Sequence, residues 1–443
     1  MVFLQNALWF LVLIGVMILI HELGHFWAAR YFDVRVDVFS FGFGPRLFGF
    51  RKGETDYRFS LILFGGYVKM AGEQPGDENA DDPRGILAKP RWQRLIIAFA
   101  GPFMNVVLAV VLLTGLYMVE FQRVVEPNGG KAIIGHVLPN SPAARAGLKD
   151  GDQIVAIDGK ENPTWEDIGM KEVAGVGVPL RLRVERNGAR FETTVVPELD
   201  EKTGVGYSGW AESGEIQLRA ITPGMPAGKA GLEKGDLILA VNGQPIHSVV
   251  KIHEIIRNSK GKPVVIDLQR NGQKRQITVQ PVMASLDGPP QRWMIGALFE
   301  QKLKVETTRL SFPEALQESV SRNMKSASLI YQFLSGIVER RMSAKSLDGP
   351  IRIAQLSGEL AREGPSAFIS LMSMVSLNLA IFNLLPIPIL DGGVILMLLI
   401  EMLMRRDLSL PVKEAVFKVG FVFIMMIVVF VLYNDISKIL PAG

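Results

Sequence analysis

The sequence predicts a polytopic α-helical membrane protein with four transmembrane helices, a membrane-associated β-hairpin or sheet, and two β-rich domains outside the bilayer. Three observations carry that prediction. Four apolar runs are long enough to cross a lipid core about 30 Å thick, which needs about 20 helical residues. An internal repeat fills the stretch between the second and third runs, and a segment of period-two alternation follows the first. Composition agrees: of 443 residues 48% are hydrophobic and the mean hydropathy is +0.24, too apolar for a soluble enzyme and too polar for a bare transporter core. A net charge of +4, with no basic stripe interleaved with aromatics, argues against a nucleic-acid partner. The absence of cysteine removes thiolate ligands, disulfides and a cysteine nucleophile.

The first run, Val2 to Ile20, lacks a charged leader and a small-residue cleavage site, so it reads as a retained anchor (transmembrane helix 1, 1–31). It ends in His21-Glu22-Leu23-Gly24-His25. On a helix, residues four apart have Cβ atoms about 6 Å apart, so His21 and His25 can bind one metal ion. Glu22, about 100° round the helix from His21, can reach a water held there. Ionisable side chains inside a membrane span point to function by default.

The loop that follows (32–94) carries β-structure. Val34, Val36, Val38, Ser40, Gly42 and Gly44 fall on one face and Phe39, Phe41 and Phe43 on the other, which is strand alternation. Leu61 to Met70 reads as its partner. Gly65 and Gly66, beside Tyr67, allow close approach, so the edge of this hairpin, with Gly42 and Gly44, is expected to bind an unwound substrate as an added strand. The second run, Leu95 to Val119, gives transmembrane helix 2 (95–121), with Gly101-Pro102 tolerated if neighbouring helices satisfy the freed backbone.

Next come two copies of one domain (122–205 and 206–285). Ser141 to Lys160 matches Met225 to Gln244 at about half its positions. Each copy reads as a short helix through Ala-Gly-Leu, a Gly-Asp turn, a strand (Ile154 to Ile157, Ile238 to Val241) and an Asp-Gly or Asn-Gly hairpin turn. In the second copy a helix (Ile252 to Arg257) and two strands (Val264 to Gln269, Arg275 to Val279) follow. The pattern resembles the PDZ domain, which captures extended peptides by strand addition, so peptide C-termini are the expected partners here.

An amphipathic helical region (286–365) comes after the repeats. Ser311-Phe-Pro-Glu314 forms a capping box. Leu316, Val320, Met324, Ala327, Tyr331, Leu334 and Val338 then recur at three and four, an apolar stripe expected to pack on the membrane surface or on the repeats. Leu347-Asp348-Gly349-Pro350 turns the chain into a second short helix with a spacer or substrate-orienting role.

Transmembrane helix 3 (366–392) holds the run Phe368 to Leu390, which Pro386 and Pro388 should break. A connection (393–414) and transmembrane helix 4 (415–434, apolar from Val416 to Tyr433) complete the chain. Basic residues concentrate in the connection between runs one and two and in the connection holding Arg405, Arg406 and Lys413. By the positive-inside rule both are cytoplasmic and the repeats extracytoplasmic.

A catalytic zinc takes three protein ligands and keeps a fourth position for water. The remaining histidines, His136, His247 and His253, lie in the extracytoplasmic stretch, on the wrong side of the membrane. Asp391, directly after the two prolines, offers a third ligand: proline disfavours helix at Leu385 and Ile387, which should be extended, so the chain can turn inward, and a divalent cation removes the cost of a carboxylate in lipid. A helix N-cap is the plainer role for Asp391.

Together, His21-Glu22-Leu23-Gly24-His25 and Asn383-Leu-Leu-Pro-Ile-Pro-Ile-Leu-Asp-Gly392 resemble the site-2 protease family of intramembrane zinc metalloproteases, and the resemblance spans essentially the whole chain. It implies one zinc ion on His21, His25 and Asp391, Glu22 as catalytic base, Asn383 as a substrate-binding donor, and β-structure dipping into the membrane. It also implies a bacterial inner membrane, an active site toward the cytoplasm, repeats in the periplasm, and substrates that are single-pass membrane proteins such as a trimmed anti-sigma factor or leftover signal peptides. Three rivals make different demands. A PDZ scaffold with a structural metal needs a closed four-ligand site and an indifferent Glu22, an envelope serine protease needs a Ser/His/Asp arrangement, and a metal transporter needs more than one polar cluster in its spans.

Overall fold

The computed structural model describes residues 2–73, 82–125, 127–201, 203–285, 291–343 and 349–439. Its helices are α1 (Val2–Tyr31), α2 (Arg91–Val119), α3 (Pro142–Arg145), α4 (Trp165–Ala174), α5 (Pro226–Lys229), α6 (Val249–Asn258), α7 (Phe312–Val338), α8 (Pro350–Glu363), α9 (Pro365–Asn383), α10 (Asp391–Met404) and α11 (Leu410–Ile439). Two compact units emerge. One comprises Met1–Phe121, Thr308–Ile330 and Leu347–Ile439, the other chiefly Gln122–Thr307 and Tyr331–Ser346.

In the first unit four helices are long and apolar enough to cross a membrane: Val2–Tyr31, Arg91–Val119, Pro365–Asn383 and Leu410–Ser437. Leu13 and Met17 of α1 pack with Phe368, Leu371 and Met372 of α9. Small polar residues bring α9 against α2: Ser373 Oγ donates to the Ala109 carbonyl at 2.9 Å and Ser376 Oγ to that of Asn105 at 2.8 Å. Such side chains let backbones approach and find acceptors where water is absent.

The loop after α1 forms β1 (Val36–Lys52) and β2 (Thr55–Met70), a long hairpin bent back on itself, so that Phe39 faces Val68 on one side and Tyr57 on the other. Val34, Val36, Val38, Ser40 and Gly42 are buried and Phe43 is exposed, the alternation expected from the sequence, although Phe39 is buried as well.

Two expectations differ from what is seen. The third span ends at Asn383, short of the two prolines, and Ile387 N–H bonds back to the Leu385 carbonyl at 2.7 Å in a tight turn around Pro386. The segment after Asp391, expected to be a connection, is the apolar helix α10, since no proline follows Pro388 before Pro411 and the residues between are strong helix formers. On α7 the stripe presents Met324, 68% exposed, on the outer face, where a membrane surface can cover it, while Ala315, Ser319 and Asn323 are buried. The small face lets α7 approach α2, where Ser319 Oγ donates to the Val110 carbonyl at 2.8 Å. The Glu314 half of the expected capping box forms, its carboxylate accepting from Ser311 N–H at 3.0 Å and from Ser311 Oγ at 2.6 Å. Leu347 and Asp348 of the anticipated turn lie outside the described residues.

In the second unit each repeat has its own sheet and core. The first centres on Ile134, Ile154, Ile157 and Ile168, the second on Ile216, Val241, Ile252 and Ile266. The expected strands and helix appear within a few residues of their predicted bounds. The repeated Gly-Asp has a shared cause. Asp152 and Asp236, each 1% exposed, take Arg186 and Arg270 at 2.6 Å and the backbone N–H of Lys149 and Glu233. A buried carboxylate so paired pins the turn to the sheet.

Candidate metal centre

Helical spacing puts His21 and His25 on the face of α1 that meets α2. Glycine makes that approach possible: a Cβ on Gly24 would lie 2.3 Å from the Ala100 carbonyl, and one on Gly101 would lie 2.3 Å from His25 Nε2. The imidazoles therefore occupy the space that a side chain at position 101 would fill. Asp391 arrives from the other end of the chain, at the first position of α10, with Leu390 at the N-cap and no side-chain capping bond. Its helix seats on the preceding turn because Gly392 and Gly393 lack Cβ atoms, which would lie 2.3 and 2.4 Å from the Leu385 and Ile387 carbonyls. Ile389 in that turn has φ +88°, a strained conformation for a β-branched residue.

His21 Nε2 is 3.1 Å from Asp391 Oδ2, His25 Nε2 is 3.4 Å from Asp391 Oδ1, and the two Nε2 atoms are 3.2 Å apart. Tetrahedral ligands about 2.0–2.1 Å from a zinc ion stand about 3.3 Å from one another, so the donor set fits in number, chemistry and separation. His25 Nδ1 donates to the Ile97 carbonyl at 2.8 Å, which leaves the Nε2 lone pair for a metal. Asn105, fully buried on α2, has its amide nitrogen 3.2 Å from His21 Nδ1 and its Oδ1 without a partner. An imidazole that offers Nε2 to a metal carries its proton at Nδ1 and needs an acceptor opposite. Turning the amide through 180° supplies one in the orphaned Oδ1.

Glu22 lines the same cavity, of about 550 Å³, together with Gly66, Tyr67 and Asn383. The β1–β2 hairpin meets α1 here, since the Val68 backbone hydrogen-bonds Glu22 and a Cβ on Gly66 would lie 3.1 Å from Glu22 Cγ. Gly42 (φ +93°) and Gly44 (φ +84°) lie elsewhere in the hairpin, where their positive φ angles account for glycine, and Gly65 packs under Phe43. At the far end of the cavity Glu401, 1% exposed, pairs with Lys413 at 2.7 Å. Asp407 ties the α10–α11 turn to Arg91 at 2.8 Å, so the two basic connections lie together.

Asn105, Gly24 and Gly101 are absent from the sequence expectations as site residues. A signal existed for Asn105: an amide inside an apolar span, one helical turn after Gly101-Pro102.

Comparison with known proteins follows the same line. The family model described as Peptidase family M50 matches residues 9–427. The regulator of sigma-E protease RseP of Salmonella typhimurium (strain 14028s / SGSC 2262) is 30% identical over 454 residues, covering 98% of this chain and 99% of its own. RseP of Escherichia coli (strain K12) is 30% identical over 464 residues, with 99% of each chain covered. A putative zinc metalloprotease of Treponema pallidum (strain Nichols) is 31% identical over 448 residues, covering 96% of this chain and 97% of its own. With a family model matched along nearly its whole length, this chain belongs to peptidase family M50, the site-2 protease family, and is a zinc metalloprotease.

Proposed function

We propose that this chain is an intramembrane endopeptidase that holds one zinc ion on His21, His25 and Asp391 and cuts within or near the transmembrane segment of single-pass membrane proteins. The observation that carries this reading is the convergence of those three ligands beside Glu22, at one end of a membrane-spanning helix and on the wall of a cavity shared with Asn383. The names of the relatives tie those proteins to the regulation of sigma-E, and the reading takes a trimmed anti-sigma factor as the substrate here, with remnant signal peptides having the same chemistry. The reading includes an inner-membrane location, a site toward the cytoplasmic face and periplasmic repeats.

Zinc, when bound, polarises the scissile carbonyl and lowers the pKa of water toward neutrality. The protein supplies the rest. Glu22 takes a proton from the attacking water on its carboxylate and returns it to the leaving amine, which avoids a covalent intermediate. Asn383 donates from its amide to the substrate backbone. A transmembrane substrate must first unwind, because lipid cannot replace its intrahelical hydrogen bonds, and the hairpin edge at Gly66 and Tyr67 offers backbone partners for the opened strand. The repeats exclude substrates with bulky extracytoplasmic domains and capture newly exposed chain ends. Their deletion should admit untrimmed substrates, and continued rejection would exclude the filter.

The deciding experiment compares wild type with Glu22→Gln on a purified model substrate. We expect zinc content to be unchanged and hydrolysis to fall by at least about 10²–10⁴-fold. A Glu22→Gln protein that cuts like wild type would remove Glu22 from the role of base, and a wild type that binds zinc but cuts nothing would leave a scaffold with a structural metal as the better account.

A further inference from the structure

Positive φ is a conformation that glycine adopts freely and other residues rarely. Among the described residues eleven that are not glycine adopt it: ten are Asn, Asp, Lys or Arg, and the eleventh is Ile389 (φ +88°). A β-branched residue there is strained, and strain of this kind gathers at sites that bind or react. Glycine in its place would remove the strain. What the turn keeps by holding isoleucine is therefore the side chain.

That side chain does not serve the core. Ile389 is 42% exposed, and it lines the cavity that holds His21, Glu22, His25 and Asp391, where Leu390 and Val394 continue its apolar surface. It stands two residues before Asp391. Two residues span at most about 7 Å, so Ile389 lies within one or two substrate residues of a carbonyl held at the metal centre. The turn that carries it is pinned from both sides. Leu390 N–H bonds to the Ile387 carbonyl at 3.1 Å and Gly393 N–H to that of Leu390 at 3.0 Å. From α11, Gly420 packs so closely that a Cβ there would lie 2.4 Å from Pro388 Cβ and 2.5 Å from the Pro388 carbonyl oxygen. A β-branched side chain is also stiff at χ1. Ile389 is thus a fixed wall that a substrate cannot push aside.

We infer that Ile389 is a specificity-determining residue for the hydrolysis: its side chain bounds the space beside the scissile bond and limits the substrate residue there to a small apolar side chain. This rests on the proposed cleavage of transmembrane segments. The test reads a ratio between substrates, so that its failure is distinguishable from a failure of that reading.

The full-length, zinc-loaded protein in detergent is given a mixture of model transmembrane substrates that carry Ala, Leu or Phe at one residue flanking the cut, each flank being varied in turn and the products resolved by mass spectrometry. A single methylene in an apolar pocket is worth about 10–200-fold in discrimination. At one flank wild type should therefore cut the Ala form at least about 10-fold faster than the Phe form, and Ile389→Ala, with its zinc content unchanged, should move that ratio toward Phe by at least about 10-fold. Ile389→Gly, which suits the backbone, should share the change, whereas Ile389→Phe should move the Leu to Ala ratio the other way. A preference unmoved in Ile389→Ala, an equal loss on every substrate, or loss of zinc from that variant would overturn the inference. If Ile389→Ala fails to fold, the Gly and Phe variants read the same contact. A wild type that cuts none of the substrates would sink the proposed hydrolysis and this inference with it.

Discussion

Replacing Asn105 with leucine tests whether the buried amide sets the proton position on His21. Leucine has nearly the same volume, so no cavity opens at this fully buried position and the main loss is the hydrogen-bond partner 3.2 Å from His21 Nδ1. A buried N–H left without an acceptor costs about 1–3 kcal/mol, or about 5–150-fold in an equilibrium constant at 1.36 kcal/mol per decade. Changes to the outer partners of metal-bound histidines typically cost about 10–100-fold. We therefore expect zinc to be held about 10–100-fold more weakly by Asn105→Leu, read as retained metal against a graded chelator in detergent. Turnover of a model transmembrane substrate should fall in step. Asn105→Asp, which restores an oxygen opposite Nδ1–H, should recover most of the metal affinity. An Asn105→Leu protein that melts like wild type and titrates with chelator like wild type would refute the reasoning.

Other perturbations follow from distances in the same region and in the repeats. Gly101→Ala places a methyl group 2.3 Å from His25 Nε2, so bound zinc should drop to background while α2 stays helical by circular dichroism; a fully loaded variant would show that the α1–α2 seam can give. Gly66→Val should depress cleavage with zinc still bound, because its Cβ meets the Ser40 carbonyl at 2.9 Å and Glu22 Cγ at 3.1 Å, and unchanged turnover would count against the hairpin edge as a substrate platform. A third prediction concerns pH. His136 of the first repeat lies 3.1 Å from Asp150 and 2.6 Å from Glu254 of the second. The Asp150 hydrogen bond raises the His136 pKa against the effect of burial, so its stabilising contribution is complete below the unfolded value of about 6.5 and is lost as pH rises through the folded one. Burial alone would raise Asp150, but His136, the Val137 N–H and Lys251 bring it down to about 2, so its share is present above the unfolded value and lost only as pH falls toward about 2. Hydrogen exchange on the full chain should therefore show less protection around His136 and α6 above neutrality, a dependence that His136→Phe should abolish.

Much of this was legible in the sequence because the signals are local. Apolar run length gave the candidate spans, a repeated 20-residue stretch gave the paired domains, and His21 and His25 with Asp391 gave the candidate ligands. What escaped depends on how closely separate elements approach. Gly24 and Gly101 look like ordinary glycines in membrane helices until α1 and α2 are placed together. The stripe on α7 has a helical period but no information about its partner, and that the opposite face, Ala315, Ser319 and Asn323, is the buried one is visible only in the structure. Helix α10 is hidden in the sequence because the prolines before it suggest a loop, although what they do is turn the chain so that a new helix can begin at Asp391.

His21 and His25 stand on α1, whereas Asp391 follows both repeats and the helix Pro365–Asn383 in the chain. On the proposed ligand set, a fragment that stops short of Asp391 holds two of the three donors, so the centre depends on α10 having been made and seated against α2.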